Sequence, residues 1–135
     1  LTCDLITGFP GETDEDHAAT LEFIRRCAFS DMHIFPYSRR PGTPADKMPD
    51  QCSRAVKEAR AHEAKAAAVE MKQDFLRASV GQVLPVLFET GEGGYFTGHS
   101  DTYVLVKARG KALRGKTLDV RITGVDGGEL TGEII

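Results

Sequence analysis

The sequence predicts an α/β segment followed by an all-β one, with a long helix between them. Three observations carry this expectation. Residues 1–37 read as strand, glycine-rich turn, helix and strand. Residues 51–79 are rich in Ala, Glu, Lys and Arg and contain neither Gly nor Pro, a strong helix-forming composition. From Val80 onward the chain breaks into short runs rich in Val, Leu, Ile and Thr, separated by Gly-rich or charged turns. The expected organisation is therefore residues 1–50, 51–79 and 80–135.

The first strand, "LTCDLI", has the period and apolar weight of a buried strand, and its chain should arrive from elsewhere. A lone strand cannot bury both faces, so upstream strands or a partner copy are expected to cover Leu1 to Ile6. On this reading the sequence is the tail of a longer protein, and self-association is an expected consequence. After the turn, Thr13 to Asp16 reads as a variant capping box that starts a helix ending near Cys27, with a core stripe of His17, Leu21, Ile24 and Ala28. A second strand runs from Asp31 to Tyr37. Strand, helix and strand in this space make a βαβ unit with parallel strands. His33 on the second strand is expected to be structural, because no second His or Cys neighbours it.

The long helix carries a thin apolar stripe of Val56, Ala59, Glu63, Ala66, Val69 or Glu70, and Gln73, which suits a connector lying along another surface. The terminal runs "QVLPVLFE", "YFTGHSDTYVLVKA", "KTLDVRITGVDGG" and "ELTGEII" suggest a small five-stranded barrel, since closure protects edges that so small a sheet leaves open.

The stretch between the first strand and the first helix, "ITGFPGETDED", raises the question of a ligand, because such turns offer backbone N–H groups and a helix dipole. Two nucleotide motifs fail here. A P-loop needs two glycines five apart followed by Lys-Ser/Thr, whereas Gly8 and Gly11 are three apart and Glu12 stands where the cation belongs. A G-x-G-x-x-G turn has no room for Phe9 and Pro10 between its glycines. A plain strand-to-helix turn, with Thr13 as N-cap of an acidic first turn, remains the alternative to a ligand site.

The 135 residues are 41% hydrophobic and 27% charged, with a formal net charge of −3. No run approaches the roughly 18 apolar residues of a membrane span. Cys3, Cys27 and Cys52 match no metal spacing and suit a reducing compartment, so a cytoplasmic location is expected.

With "DLITGFPGETDED", "HIFPYSRRPGTPA" and a terminal β module carrying "GHSDTYVLV" in this order, the chain resembles the MiaB-like tRNA methylthiotransferases, which are radical S-adenosylmethionine enzymes. "HIFPYS" looks most like the branch acting on threonylcarbamoyladenosine. The resemblance implies a C-terminal fragment: the last part of a radical S-adenosylmethionine β/α barrel, a connector helix and an OB-like TRAM barrel. In such a fold the glycine turn sits at the C-terminal mouth of the barrel. Gly8, Phe9, Pro10 and Gly11 are then expected to approach the nucleoside side of S-adenosylmethionine. Glu12 either joins them or complements the helix dipole. Phe35, Pro36 and Tyr37 either present backbone groups and an aromatic face to adenine or pack in the core.

The resemblance also implies two [4Fe–4S] clusters in the full-length protein. No C-x-x-x-C-x-x-C spacing occurs here, so their ligands are expected upstream, no residue of this chain is assigned a catalytic or metal-binding role, and the fragment alone is expected to be inactive. The expected partner is tRNA at its anticodon stem-loop, with no membrane and no DNA. Between Val80 and Ile135 the cations are Lys107, Arg109, Lys111, Arg114, Lys116 and Arg121, and the first five form one basic stretch suited to a phosphate backbone. Tyr95 and Phe96 are expected to stack bases, and Tyr103 either joins them or enters the core. The competing reading is a non-catalytic RNA-binding module on a helical stalk.

Overall fold

A computed structural model describes residues 1–135. The chain forms two compact units, Leu1–Lys72 and Gln73–Ile135. The division falls inside the long helix rather than at its ends.

In the first unit, strand β1 (Thr2–Thr7) pairs in parallel with strand β2 (Asp31–Pro36), and helix α1 (Asp14–Cys27) connects them. The register sets Cys3 beside Met32 and Leu5 beside Ile34 on one face, and Asp4 beside His33 and Ile6 beside Phe35 on the other. Helix α2 (Arg54–Ser79) contributes Ala61, Ala64, Ala67 and Met71 to a core shared with Ile24, Met32 and Ile34. Three alanines at successive turns let the helix backbone approach closely. The second face stays open, with Ile6 and Phe35 more than half exposed. The strand pair is thus covered on one side, and β1 is less buried than its apolar weight predicts.

Helix α1 begins as its sequence requires. The Thr13 hydroxyl accepts from the Asp16 amide at 3.1 Å, and the Asp16 carboxylate accepts from the Thr13 amide at 3.0 Å. His17, Leu21 and Ile24 turn inward, but Ala28 is exposed because it is the C-cap, in the left-handed region at φ 51°. The hydrogen bond from the Thr13 backbone, followed by that from its side chain, holds the Asp16 carboxyl below its ordinary value of 3.8. A carboxyl depressed on folding contributes stability that is present above its unfolded pKa and lost as pH falls through the folded one. Amide protection in the first turn of α1, corrected for the intrinsic exchange rate at each pH, should therefore fall as pH drops through that range, and Asp16→Asn should abolish this change in protection. An acid response unchanged in Asp16→Asn counts against the capping role.

In the second unit, β3 (Val83–Glu92), β4 (Tyr95–Ser100), β5 (Leu105–Arg109), β6 (Thr117–Asp126) and β7 (Glu129–Ile134) close into a barrel in the order β3-β4-β5-β7-β6. Only the β5–β7 pair is parallel. Alternation places Leu84, Val86 and Phe88, then Val104, Val106 and Ala108, then Val120 and Ile122, inside. Leu76, from the last turns of α2, is fully buried in the same core, and Leu113 enters it from the connection between β5 and β6. Bulges fall between Phe88 and Thr90 and between Ile122 and Gly124, where a small barrel must bend.

The stripe expected along α2 is corrected. Val56, Ala59, Glu63, Ala66 and Val69 are exposed, and the buried positions are Arg60, Ala61, Ala64, Ala67, Met71, Leu76 and Ser79. His33 is also outside, its Nδ1 3.1 Å from the Asp4 carboxylate on the open sheet face.

Candidate functional site

The first unit places the glycine turn at the end of β1. Gly8 and Gly11 take φ values of 69° and 85°, which favour glycine. Gly8 has a second constraint: a Cβ there would lie 2.5 Å from Cγ of Lys57. The Gly8 amide donates to Oε1 of Glu12 at 2.9 Å, and the Glu12 amide donates to the Phe9 carbonyl at 2.9 Å. The Gly11 amide donates to the Asp50 carbonyl at 2.9 Å. The backbone donors that a ligand would need at Gly8 and Gly11 are thus used within the chain.

Arg60 fastens this turn. Its Nη1 donates to the Glu12 carbonyl at 2.9 Å and to Oε1 of Glu12 at 2.8 Å, and its Nη2 donates to Asp14 at 2.9 Å. The bond to Asp14, then that to Glu12, pushes the guanidinium above its ordinary pKa against the opposing cost of burial. Asp14 is 95% exposed and screened by water, whereas the Glu12 side chain is 13% exposed and that of Arg60 9%. Glu12 is therefore the partner that matters for stability. Sequence reasoning missed Arg60, because a cation in an exposed-looking Ala-rich helix gives no sign of burial.

Beside the turn, Phe9 meets Tyr37 edge-on with ring centroids 5.3 Å apart, and the Lys57 ammonium lies 5.0 Å from the Tyr37 ring centre. A cavity of about 570 Å³ opens at the end of β2, lined by Ile6, Phe35, Pro36, Tyr37, Ser38, Arg40, Thr43 and Ala45. The structure therefore brings Phe35, Pro36 and Tyr37 together around one cavity. Gly8, Phe9, Pro10, Gly11 and Glu12 do not line it; Phe9 touches it only through Tyr37. Ile6, Ser38, Arg40, Thr43 and Ala45 are lining residues that the sequence reading did not single out. Their signal is the end-of-strand position of Ile6 opposite Phe35 and the "RRPGTPA" loop.

An apolar wall of Ile6, Phe35 and Tyr37 with polar groups at its rim fits an adenosyl group, whose flat base needs apolar faces and few directed bonds. An iron–sulfur cluster does not fit these residues. Cys3, Cys27 and Cys52 are free thiols, and no three His, Cys, Asp or Glu side chains gather as a metal site.

The second unit places the aromatic and basic residues on the barrel surface. On β4, Tyr95 faces outward opposite Arg109 of β5, with the Lys107 ammonium 5.1 Å and the Arg109 guanidinium 5.4 Å from its ring centre. Lys107 and Arg109 thus belong to a strand rather than a loop. Lys111, Arg114 and Lys116 lie in the following connection, which is anchored by buried Leu113 and by the Phe88 amide donating to the Lys116 carbonyl at 3.0 Å.

Phe96, expected with Tyr95 to stack bases, points the other way and packs against the barrel core, since successive strand residues alternate. Arg121 sits on β6 opposite Glu133, with β6 separated from β5 by β7. Tyr103 is 85% exposed, at φ 62°, and so is outside the core; the loop that carries it is pinned by the Ser100 hydroxyl accepting from the Val104 amide.

No protein-family model matches the chain. The chain is 38% identical over 128 residues to the threonylcarbamoyladenosine tRNA methylthiotransferase MtaB of Bacillus subtilis, covering 90% of this chain and 28% of that protein. It is 40% identical over 136 residues to a tRNA-2-methylthio-N(6)-dimethylallyladenosine synthase of Mycobacteroides abscessus, covering 100% and 26%, and 39% identical over 134 residues to that of Maricaulis maris, covering 97% and 29%. Over nearly its whole length, the chain is thus similar to proteins named as tRNA methylthiotransferases of the MtaB and MiaB kind. It spans between a quarter and a third of the length of these curated relatives. No helix of the chain is long and apolar enough to cross a membrane.

Proposed function

We propose that this chain is the carboxy-terminal part of a cytoplasmic radical S-adenosylmethionine enzyme that methylthiolates carbon 2 of threonylcarbamoyladenosine beside the tRNA anticodon. In this reading β1 and β2 are the last strands of the enzyme's parallel barrel. The wall of Ile6, Phe35, Pro36 and Tyr37 receives the adenosyl group of S-adenosylmethionine, while the turn from Gly8 to Glu12 shapes that wall from behind. When bound, this cofactor supplies an adenosyl radical and a methyl group. The two [4Fe–4S] clusters are held by residues outside this chain. The second unit is a TRAM barrel that grips the anticodon stem-loop.

The observation that carries the RNA assignment is the outward ring of Tyr95 flanked by Lys107 and Arg109. An aromatic face stacks a base of any sequence, and the two cations lying over the ring are placed to meet the adjoining phosphates. Tyr95→Ala should weaken binding of an anticodon stem-loop RNA about tenfold with little change in salt slope, because stacking is worth about 1–3 kcal/mol per base and releases no counterions. The pair Lys107→Gln and Arg109→Gln should instead flatten the log–log salt dependence by about 1.4 to 1.8 units, at about 0.7–0.9 per phosphate. Fluorescence anisotropy over a salt series reads both effects. If Lys111→Ala, Arg114→Ala and Lys116→Ala change the slope while the strand variants do not, the binding face is the connection and not β4–β5.

A further inference from the structure

We propose that the first unit carries a separate oxyanion site for the RNA substrate, centred on Lys57 and completed by Arg40, at the end of β2. This rests on the functional reading above, because it takes the chain's ligand to be RNA. The site adjoins the adenosyl wall, whose cavity supplies Arg40, and it shares no residue with the barrel's Tyr95 face.

The observation is a second cavity, of about 390 Å³, lined by Pro36, Tyr37, Ser38, Arg39, Arg54, Lys57 and Glu58. It shares Pro36, Tyr37 and Ser38 with the apolar cavity described above, so the two lie on either side of one short wall. The charges around it do not cancel. Arg54 donates to Glu58 at 2.8 Å, and Arg39 is bound to the Asp46 carboxylate at 2.8 Å and to the Asp46 carbonyl at 2.7 Å. Lys57 has no such partner: its ammonium rests over the Tyr37 ring, and its stem is packed against Gly8. Arg40 lines the neighbouring cavity and makes no ion pair.

Two cations without carboxylate partners therefore flank Tyr37 and Ser38. The Lys57 ammonium rests on an aromatic ring and its stem against a glycine, so little side-chain freedom is lost on binding an anion.

The chemistry selects an anion attached to a flat apolar group, since one cavity offers a cationic rim and its neighbour an apolar wall. Within RNA two groups have this chemistry: the phosphodiester next to the modified nucleotide, and the carboxylate of a threonylcarbamoyl substituent on its base. Both are oxyanions that an ammonium and a guanidinium bind.

Lys57→Met keeps the aliphatic stem against Gly8 and removes only the charge. The full 135-residue chain and this variant are titrated with two anticodon stem-loop RNAs, one carrying threonylcarbamoyladenosine and one with plain adenosine at that position, over a salt series. The expected result is an affinity loss of about tenfold for Lys57→Met, the size of one charged hydrogen bond. Equal loss on both RNAs, with the salt slope lower by about 0.7–0.9, assigns the site to a phosphodiester. Loss confined to the threonylcarbamoyl RNA assigns it to the carboxylate. Arg40→Gln, at an exposed position, repeats the test without touching the Gly8 contact and should give a smaller loss in the same arm. Wild-type affinity of both variants for both RNAs overturns the site alone. A parent chain that binds neither RNA overturns the functional reading and this site with it.

Discussion

Replacing Gly98 with alanine is expected to unfold the barrel. Gly98 lies on β4 directly opposite Phe88 of β3, and a Cβ at this position would stand 1.9 Å from the Leu87 carbonyl oxygen and 2.7 Å from Cα of Phe88. Those are backbone atoms of the neighbouring strand. They cannot swing aside as a side chain does, so relief requires the two strands to part, and in a closed barrel that opens the ladder on both sides. Overpacking in ordinary cores costs about 1–3 kcal/mol where side chains can adjust, and this site has no such freedom. A cost of about 3 kcal/mol or more in a unit this small should lower its melting midpoint by more than about 12 °C. Two neighbours set the scale. Gly91→Ala meets the ring of Phe96, which can rotate, and should cost less; Gly128→Ala meets nothing within 4 Å and should be close to neutral. Thermal melts of the three variants decide the point, and a Gly98→Ala chain melting within a few degrees of the parent defeats it.

The same barrel shows how much was legible beforehand. Its strands could be placed from "QVLPVLFE" and "KTLDVRITGV" because half-buried strands alternate, and Leu84, Val86, Phe88, Val120 and Ile122 all turn inward as alternation requires. The capping box at Thr13 was legible too, since it depends on two side chains three residues apart. The buried face of α2 was not. When most positions are Ala, Glu or Lys, every face has similar apolar content, and which alanines are inside depends on where β2 and α1 stand. Ala61, Ala64 and Ala67 are buried while Ala59 and Ala66 are exposed, with no difference in residue type. Tyr95 and Phe96 show a finer limit: both are aromatic neighbours, and only the strand register tells which faces solvent. At the candidate site, the strand-end residues Phe35, Pro36 and Tyr37 were recoverable from the motif. The role of Glu12 as internal acceptor for Gly8 was not, because it depends on Arg60, forty-eight residues away.

Arg60→Ala is expected to loosen the glycine turn and destabilise the first unit by about 3–5 kcal/mol, the cost of removing one partner from a buried ion pair. The guanidinium satisfies the Glu12 carbonyl and carboxylate at once, and the same carboxylate oxygen accepts from the Gly8 amide. Without the cation, Glu12 remains largely buried with its charge uncompensated, and it must either take up a proton or pull away from Gly8. Either response releases the φ 69° conformation that fits Gly8 against Lys57. Arg60→Lys should recover little, because a single ammonium cannot span the Glu12 carbonyl, the Glu12 carboxylate and Asp14 in one plane. Asp14→Asn should change stability by less than about 0.5 kcal/mol, since that carboxylate stands in water. The decisive variant is the double replacement Arg60→Met with Glu12→Met, which removes both charges. If the cost of Arg60→Ala comes from an abandoned buried carboxylate, the double variant should be markedly more stable than Arg60→Ala, although only the double variant removes the acceptor of the Gly8 amide outright. Denaturant unfolding of the parent, Arg60→Met, Glu12→Met and the double variant gives the coupling directly. Equal destabilisation in the double variant and in Arg60→Ala means that Arg60 acts through packing along α2 and not through the charge it supplies to Glu12.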